Sequence, residues 1–222
     1  MLSCNIKKSS SKLVKCTFIT HTKFMKISNT SFVIGIVRGN EYWESYIPQI
    51  ALYGRSNAGK SSSINALLGN GSLARISAVP GKTTEINLFS INSESLYFLD
   101  LPGYGFARGS LEQKAILQEL ILWFIKDTKV KNRIHVMVLD AKIGLTEVDK
   151  SFLDFLYKTN EKIIILFNKI DKLNQKEYSK SFMKTQKELM EKEGTYDITL
   201  IPFSAKTKKG VDEFWKAVEG EK

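Results

Sequence analysis

Two cysteines, two histidines and four prolines are all that a chain of 222 residues contains. Cys4 and Cys16 both lie near the N-terminus, far from any expected core. A disulfide-stapled secreted fold is therefore excluded, and a reducing, cytoplasmic setting is the natural expectation. No stretch approaches the ~18 apolar residues that a membrane helix requires, which excludes an integral membrane protein. A secretory signal is not expected, because no proper apolar h-region precedes a small-residue cleavage site. Acidic side chains are absent from residues 1–40, which hold seven basic ones. The remaining residues carry 26 basic and 23 acidic side chains, so the formal net charge of +10 belongs mainly to the N-terminal segment. A basic chain finds nucleic acid or anionic surfaces, and here that inference attaches chiefly to those forty residues. Hydrophobic residues at 43% and charged ones at 25% exclude global disorder. The length suits one sizeable domain and no more.

Residues 1–24 are rich in Ser, Thr and Lys and show no sustained apolar period. Three readings stand: a disordered extension upstream of a domain that begins at Met25, a transit peptide directing organellar import, or a flexible RNA-contacting arm. The transit reading is weakened by the absence of Arg, which such peptides favour. From Phe32 onward, apolar segments alternate with amphipathic ones. Strands are expected at 32–37, 49–53, 86–91, 96–99, 135–139, 162–167 and 198–202, and helices at 60–68, 110–126, 147–158, 176–193 and 211–218. Several strands, such as Val136–Leu139 and Ile163–Phe167, are continuous apolar runs, as a sheet covered by helices on both faces requires. Strands alternating with helices predict an α/β fold, a three-layer α/β/α sandwich with a mostly parallel sheet.

The first motif is Gly54-Arg55-Ser56-Asn57-Ala58-Gly59-Lys60-Ser61, a full phosphate-binding loop between a predicted strand and a predicted helix. Its glycines let backbone N–H groups turn toward phosphate oxygens at a helix N-terminus. Lys60 is expected to reach β- and γ-phosphates and the Ser61 hydroxyl to ligate Mg²⁺. Asp100-Leu101-Pro102-Gly103 ends the strand that follows. A carboxylate there can hold Mg²⁺ through water, and the Gly103 N–H can bond the γ-phosphate. Asn168-Lys169-Ile170-Asp171 closes a later strand and supplies base selection. The Asp171 carboxylate can accept from guanine N1–H and from the N2 amine, donors that adenine lacks at those positions. Asn168 can brace the loop and the Lys169 stem can lie over the base. Ser204-Ala205-Lys206, after the strand expected at 198–202, would place a backbone N–H near guanine O6.

In this order the four motifs resemble the Ras-like P-loop GTPases. Ser72-Leu73-Ala74-Arg75, Pro80-Gly81-Lys82-Thr83 and Asp100-Leu101-Pro102-Gly103-Tyr104-Gly105-Phe106-Ala107 sharpen the resemblance, to the EngB family within the TrmE-Era-like class. It covers about residues 25–218 and implies one GTP-binding domain over 25–222. It further implies that Gly81, Lys82, Thr83, Thr84 and Glu85 form the nucleotide-facing part of switch I, with the Thr83 hydroxyl completing the Mg²⁺ shell. Lys60, Thr83 and Gly103 are then the residues expected to act on the γ-phosphate. The family is associated with large ribosomal subunit assembly, with rRNA and ribosomal proteins as partners, and with septation and cell division. A monomer is expected. Where the family often has Thr-Lys-x-Asp and Ser-Ser, this chain has Asn168-Lys169 and Ser204-Ala205, which are nearer the general GTPase pattern.

Position 104 is Tyr where many GTPases place a water-orienting glutamine, and no histidine replaces it: His21 is in the tail and His135 opens a core strand. Intrinsic GTP hydrolysis is therefore expected to be slow, with stimulation by ribosomes or by K⁺. Asn57 matches the asparagine that TrmE-like GTPases use to coordinate that cation; the alternative is a side chain that only stabilises the loop. Arg55 is expected to pack outward. Tyr104 and Phe106 either stack on RNA bases or pack under their loop. Lys82, Arg108, Lys131, Arg133, Lys206, Lys208 and Lys209 can meet rRNA phosphates. Trp123 and Trp215 fall on apolar helix faces, and Trp43 has no assigned role. Two other classes share parts of this pattern. An ATP-using P-loop kinase has no reason to keep Asp171, and a nucleotide-gated scaffold without turnover is compatible with Tyr104.

Overall fold

A strand covered on both faces is largely apolar, and three strands of this chain carry the runs that this implies. In β3 (Gln49–Gly54), Ala51 and Tyr53 point into one core and Ile50 and Leu52 into the other. The same alternation holds in β6 (Arg133–Asp140), with Met137 and Leu139 against Val136 and Val138. In β7 (Lys162–Asn168), Ile163, Ile165 and Phe167 oppose Ile164 and Leu166. The first core is closed by α2 (Leu111–Lys126), α3 (Glu147–Tyr157) and α4 (Gln175–Met190). The second is closed by α1 (Lys60–Leu68) and α5 (Val211–Glu219). The architecture is the expected three-layer α/β/α sandwich. The computed structural model describes residues 4–6, 27–38, 47–71, 73–74, 85–104, 110–126, 130, 132–191 and 198–220.

Adding β1 (Cys4–Ile6), β2 (Thr30–Ile36), β4 (Ile86–Ile91), β5 (Leu96–Asp100) and β8 (Ile198–Pro202) completes a sheet of order β1-β8-β7-β6-β3-β5-β4-β2. The central block β8-β7-β6-β3-β5 is parallel. β4 and β2 on one side and β1 on the other are antiparallel. The chain leaves β3 for the β5 side and then returns to its other flank with β6. β3 is thus a topological switch point, and a crevice opens at the carboxyl ends of such strands.

Three residues inside the expected N-terminal extension form β1, in register from Cys4 opposite Leu200 to Ile6 opposite Ile198. An edge strand offers unpaired backbone groups to any extended segment in reach, and apolar periodicity carries no signal for so short a pairing. The rest of the extension, and Trp43, lie outside the described residues. Arg133 departs from its expected role as a surface base. It is buried, its guanidinium donates to the Phe124 carbonyl at 3.0 Å and to Gln49 at 3.4 Å, and it stacks 4.0 Å from the Phe124 ring. Its charge serves the carbonyl end of α2. His135 is structural, as expected. It is buried, Tyr53 Oη lies 3.0 Å from its Nδ1, and burial pulls its pKa below the ordinary value despite the nearby Glu161.

Aromatic packing locks the second core. Phe98 of β5 lies edge-on to Phe214 at 6.3 Å and tilted against Trp215 at 5.8 Å, while Trp215 Nε1 donates to the Leu67 carbonyl at 3.2 Å. Phe98→Ala is expected to cost about 3–5 kcal/mol of stability. Urea unfolding should show a lower midpoint at unchanged slope.

Candidate functional site

The carboxyl ends of β3, β5, β6, β7 and β8 share one edge of the sheet, and the sequence motifs collect there. β3 ends at Gly54, and the chain turns through Asn57 (φ 65°) and Gly59 (φ 99°) before α1 begins at Lys60. The turn is closed by the Ala58 N–H donating to the Arg55 carbonyl at 3.1 Å. Gly59 occupies a left-handed conformation, and a Cβ there would collide with the Asn168 amide nitrogen. Sterics thus demand glycine at this position twice over.

Asn168, buried at the end of β7, explains that crowding. Its Nδ2 donates to the Ala58 carbonyl at 2.9 Å, and its Oδ1 accepts from the Ala205 N–H at 3.2 Å. One amide therefore fastens the loop after β3 to the loop after β8. Lys169 reinforces the tie from a left-handed backbone (φ 67°). Its ammonium group donates to the Asn57 carbonyl and pairs with Asp140 at 2.8 Å. Asp140, at the end of β6, escaped the sequence reading; its only signal was its place at the close of an apolar run. The exposed Asp171 accepts from Ser204 Oγ at 2.6 Å, and the Thr207 N–H donates to the same hydroxyl at 3.1 Å.

These loops border a cavity of about 440 Å³ whose lining includes Gly59, Ser62, Asn168, Lys169, Asp171 and Ala205. Beside it, at the end of β5, the Lys60 ammonium pairs with Asp100 Oδ1, and Ser61 Oγ lies 3.5 Å from Oδ2. Both partners of the ion pair are almost wholly buried. Gly103 packs against the first loop so closely that a Cβ would come within 3.1 Å of the Gly54 carbonyl and 3.3 Å of the Ser56 nitrogen. A helix N-terminus and a lysine together suit an anion, and a carboxylate beside a hydroxyl suits a hard divalent cation.

Several expected site residues enter only through their backbone. Leu101, Ile170 and Phe203 are buried in the core, and Phe203 bonds β7 through its N–H to the Phe167 carbonyl at 2.9 Å. Pro102 is buried as well. Arg55, expected to pack outward, has its Nε 3.2 Å from the buried Asp149 of α3, with its own side chain only 23% exposed. Gly81, Lys82, Thr83 and Thr84, together with Phe106, Arg108 and Lys131, lie outside the described residues. Glu85 is described and stands half-buried beside Gly35.

Tyr104 packs under its loop. Its ring stacks on Phe152 at 4.3 Å, and its hydroxyl donates to Asp149 Oδ1 at 3.0 Å. Burial, and next the Asp149 carboxylate, push the phenol well above its ordinary pKa, so it stays a protonated donor. Asp149 has no exposed surface. Besides Tyr104 and Arg55 it takes the Thr146 N–H at 2.9 Å and the Thr146 hydroxyl at 2.6 Å. Sequence reasoning missed it. The visible signal was a capping box, Thr146-x-x-Asp149, opening α3.

Residues 49–169 match a family described as 50S ribosome-binding GTPase, and residues 130–221 match the elongation factor Tu GTP-binding domain. A probable GTP-binding protein EngB of Lactobacillus gasseri is 36% identical over 195 residues, which is 88% of this chain and 98% of that protein. A crystal structure of a probable GTP-binding protein EngB superposes with a TM-score of 0.60 at 26% identity, covering 77% of this chain and 96% of that one. Era in complex with MgGDPNP and nucleotides 1506–1542 of 16S ribosomal RNA gives 0.61 at 25% identity, covering 80% and 59%.

Tyr104 and Asp149 are expected to be coupled. Tyr104→Phe should lower stability by about 1.5–3 kcal/mol, the usual worth of a bond to a charged acceptor. Combined with Asp149→Asn, the loss should fall short of the sum of the two single losses by about 1 kcal/mol or more in chemical denaturation. Strict additivity would remove the bond from any role.

Proposed function

This chain belongs to the EngB family of P-loop GTPases, and from that premise we propose that it is a GTP-dependent switch acting in assembly of the large ribosomal subunit and needed for normal septation and cell division. The observation that carries the nucleotide half of the reading is the Asn168 amide. It holds the phosphate-type loop and the Ser204-Ala205 loop against one cavity, with the Asp171 carboxylate on its wall. The ribosomal half is supported by the 50S ribosome-binding family that the chain matches and by the Era relative in complex with 16S rRNA.

In this reading residues 25–222 are one GTP-binding domain. The backbone from Gly54 to Ser61 surrounds the phosphates, and Asp171 with Asn168, Lys169 and the Ala205 N–H selects guanine. Lys60 leaves Asp100 for the β- and γ-phosphates, which frees the carboxylate. Ser61 directly and Asp100 through water fit Mg²⁺, with Thr83 joining them when GTP is bound. When bound, the ion would supply positive charge against the phosphate oxygens. Gly103 donates its N–H to the γ-phosphate, and the segment Gly81–Glu85 orders around it. The Tyr104 hydroxyl, held by Asp149, has no path to the attacking water. Hydrolysis is accordingly slow until a ribosomal particle, or K⁺ beside the exposed Asn57, supplies what position 104 does not. The setting is cytoplasmic, or organellar if residues 1–24 direct import, and the protein works as a monomer.

Two measurements test the reading. GDP should compete for GTP where ADP does not, and Asp171→Asn should erode that preference by about 100-fold. Thr83→Ala should weaken GTP more than GDP; equal, wild-type binding of both would remove Thr83 from switch I. Sedimentation with purified large subunits should show co-migration with a non-hydrolysable GTP analogue and not with GDP. Failure in both states would leave the nucleotide chemistry and remove the ribosomal task.

A further inference from the structure

The cation-rich face of α4 is unclaimed by anything described so far. At 100° per residue, Lys176, Lys187, Lys180 and Lys184 fall within an arc of about 80°. Thr185, Leu189, Phe182 and Tyr178, which pack α4 onto the sheet, lie on the opposite side. All four lysines are exposed. At 1.5 Å of rise per residue they span roughly 16 Å of the helix axis. The carboxylates of α4 do little to neutralise them. Glu177 is taken up in capping Asn174, and Glu188 pairs with Lys150 of α3 at 3.3 Å. Among the described residues Glu191, beyond the last turn, is the carboxylate that pairs with the row, at 3.6 Å from Lys187, and both groups are largely exposed; the exposed Glu177 stands beside the row while holding the cap. Among the described residues, Lys176, Lys180 and Lys184 have no ion-pair partner within 4.0 Å.

We infer that this face of α4 is a docking surface for the phosphodiester backbone of structured RNA. The inference rests on the ribosomal reading above for the source of that RNA and on the helix for the surface. A duplex presents roughly one negative charge per 1.7 Å of its axis, so a row of this length faces several phosphates at once. Lysines without bidentate geometry read charge and not sequence, as backbone contacts do. A membrane surface fits poorly, because an interfacial helix needs a free apolar face and that of α4 is spent on the core; Met183 is its one exposed large hydrophobic residue. A protein partner fits poorly too. Interface centres concentrate aromatic residues and Arg and are depleted in Lys, and this face offers neither aromatic nor guanidinium.

The row begins just beyond Asn168–Asp171 and runs away from the cavity, and it does not include Gly103, Tyr104 or the segment Gly81–Glu85. Its contribution is therefore an electrostatic anchor indifferent to the γ-phosphate, while the nucleotide-dependent contact is made elsewhere.

The test is fluorescence anisotropy with a labelled RNA hairpin. Wild type is compared with a variant carrying Lys176→Gln, Lys180→Gln, Lys184→Gln and Lys187→Gln, and with a charge-matched control in which Lys114, Lys126, Lys142 and Lys158 become Gln. Gln keeps the helix propensity of Lys, and unchanged GDP affinity certifies folding. The α4 variant should lose about tenfold or more in affinity near ~100 mM salt, and its log–log salt slope should fall by about 3, the same with GDP as with a GTP analogue. The control should match wild type. Equal losses in control and α4 variant would reduce the effect to net charge and overturn the inference, as would a loss seen in one nucleotide state only. Parallel sedimentation with large subunits separates the two readings. Intact hairpin binding with no wild-type co-migration sinks the ribosomal role and keeps the face. Co-migration undiminished in the α4 variant does the reverse.

Discussion

Two loops 147 residues apart in sequence, at Ala58 and Ala205, meet through the side-chain amide of Asn168, and the rest of the site is built outward from that junction. The amide donates to Ala58 and accepts from Ala205 while itself almost wholly buried. A buried amide that lost either partner would carry a desolvation penalty of ~1–3 kcal/mol, so the two loops are held at a fixed separation. Gly59 has no side chain because the amide occupies that space. Lys169, next in the chain, adopts its left-handed backbone and reaches across to Asn57 and Asp140. The parallel register of β3, β6 and β7 makes this possible, since it delivers Gly54, Asp140 and Asn168 to the same edge.

A second junction does for Tyr104 what the first does for the base loop. Asp149 binds the residue after Gly54 and the residue after Gly103 with its two oxygens. Tyr104 and Arg55 also pair as a short parallel bridge. The start of the phosphate-type loop and the end of the Asp-x-x-Gly segment therefore move together or not at all. A side chain used in that way is unavailable for orienting water, and the proposal of slow hydrolysis rests on that packing of position 104.

How much of this was legible in the sequence depended on how local each cause is. Gly54, Gly59, Lys60, Asp100 and Asn168 are dictated by loop chemistry over a few residues, and the structure brings all of them to one edge. The apolar runs of β3, β6 and β7 announced a sheet covered twice, and the cores confirm it residue by residue. Asp149 was illegible because its partners lie 45 and 94 positions away; only its capping role was local. Arg133 misled for the opposite reason. A cation at the mouth of a strand resembles a surface base until the end of α2 and the Phe124 ring close over it. Leu101 and Phe203 belong to site motifs by sequence and to the core by position, because a strand end must anchor its loop before the loop can hold anything.

Charge shows the same limit most clearly. Outside the N-terminal segment the excess is only 26 basic against 23 acidic side chains, a balance that argues for no polyanionic partner. Net charge is a sum, whereas a partner meets a face. The cap engages Glu177, the bridge to Lys150 engages Glu188, and burial takes the Lys60–Asp100 pair off the surface. Along α4 four exposed lysines share one side, with the exposed Glu177 beside them held by the cap, opposite the side chains that fix the helix's orientation. With a Debye length of about 10 Å at moderate salt, neighbouring lysines in that row act as one field, while acidic groups elsewhere on the molecule are screened from it.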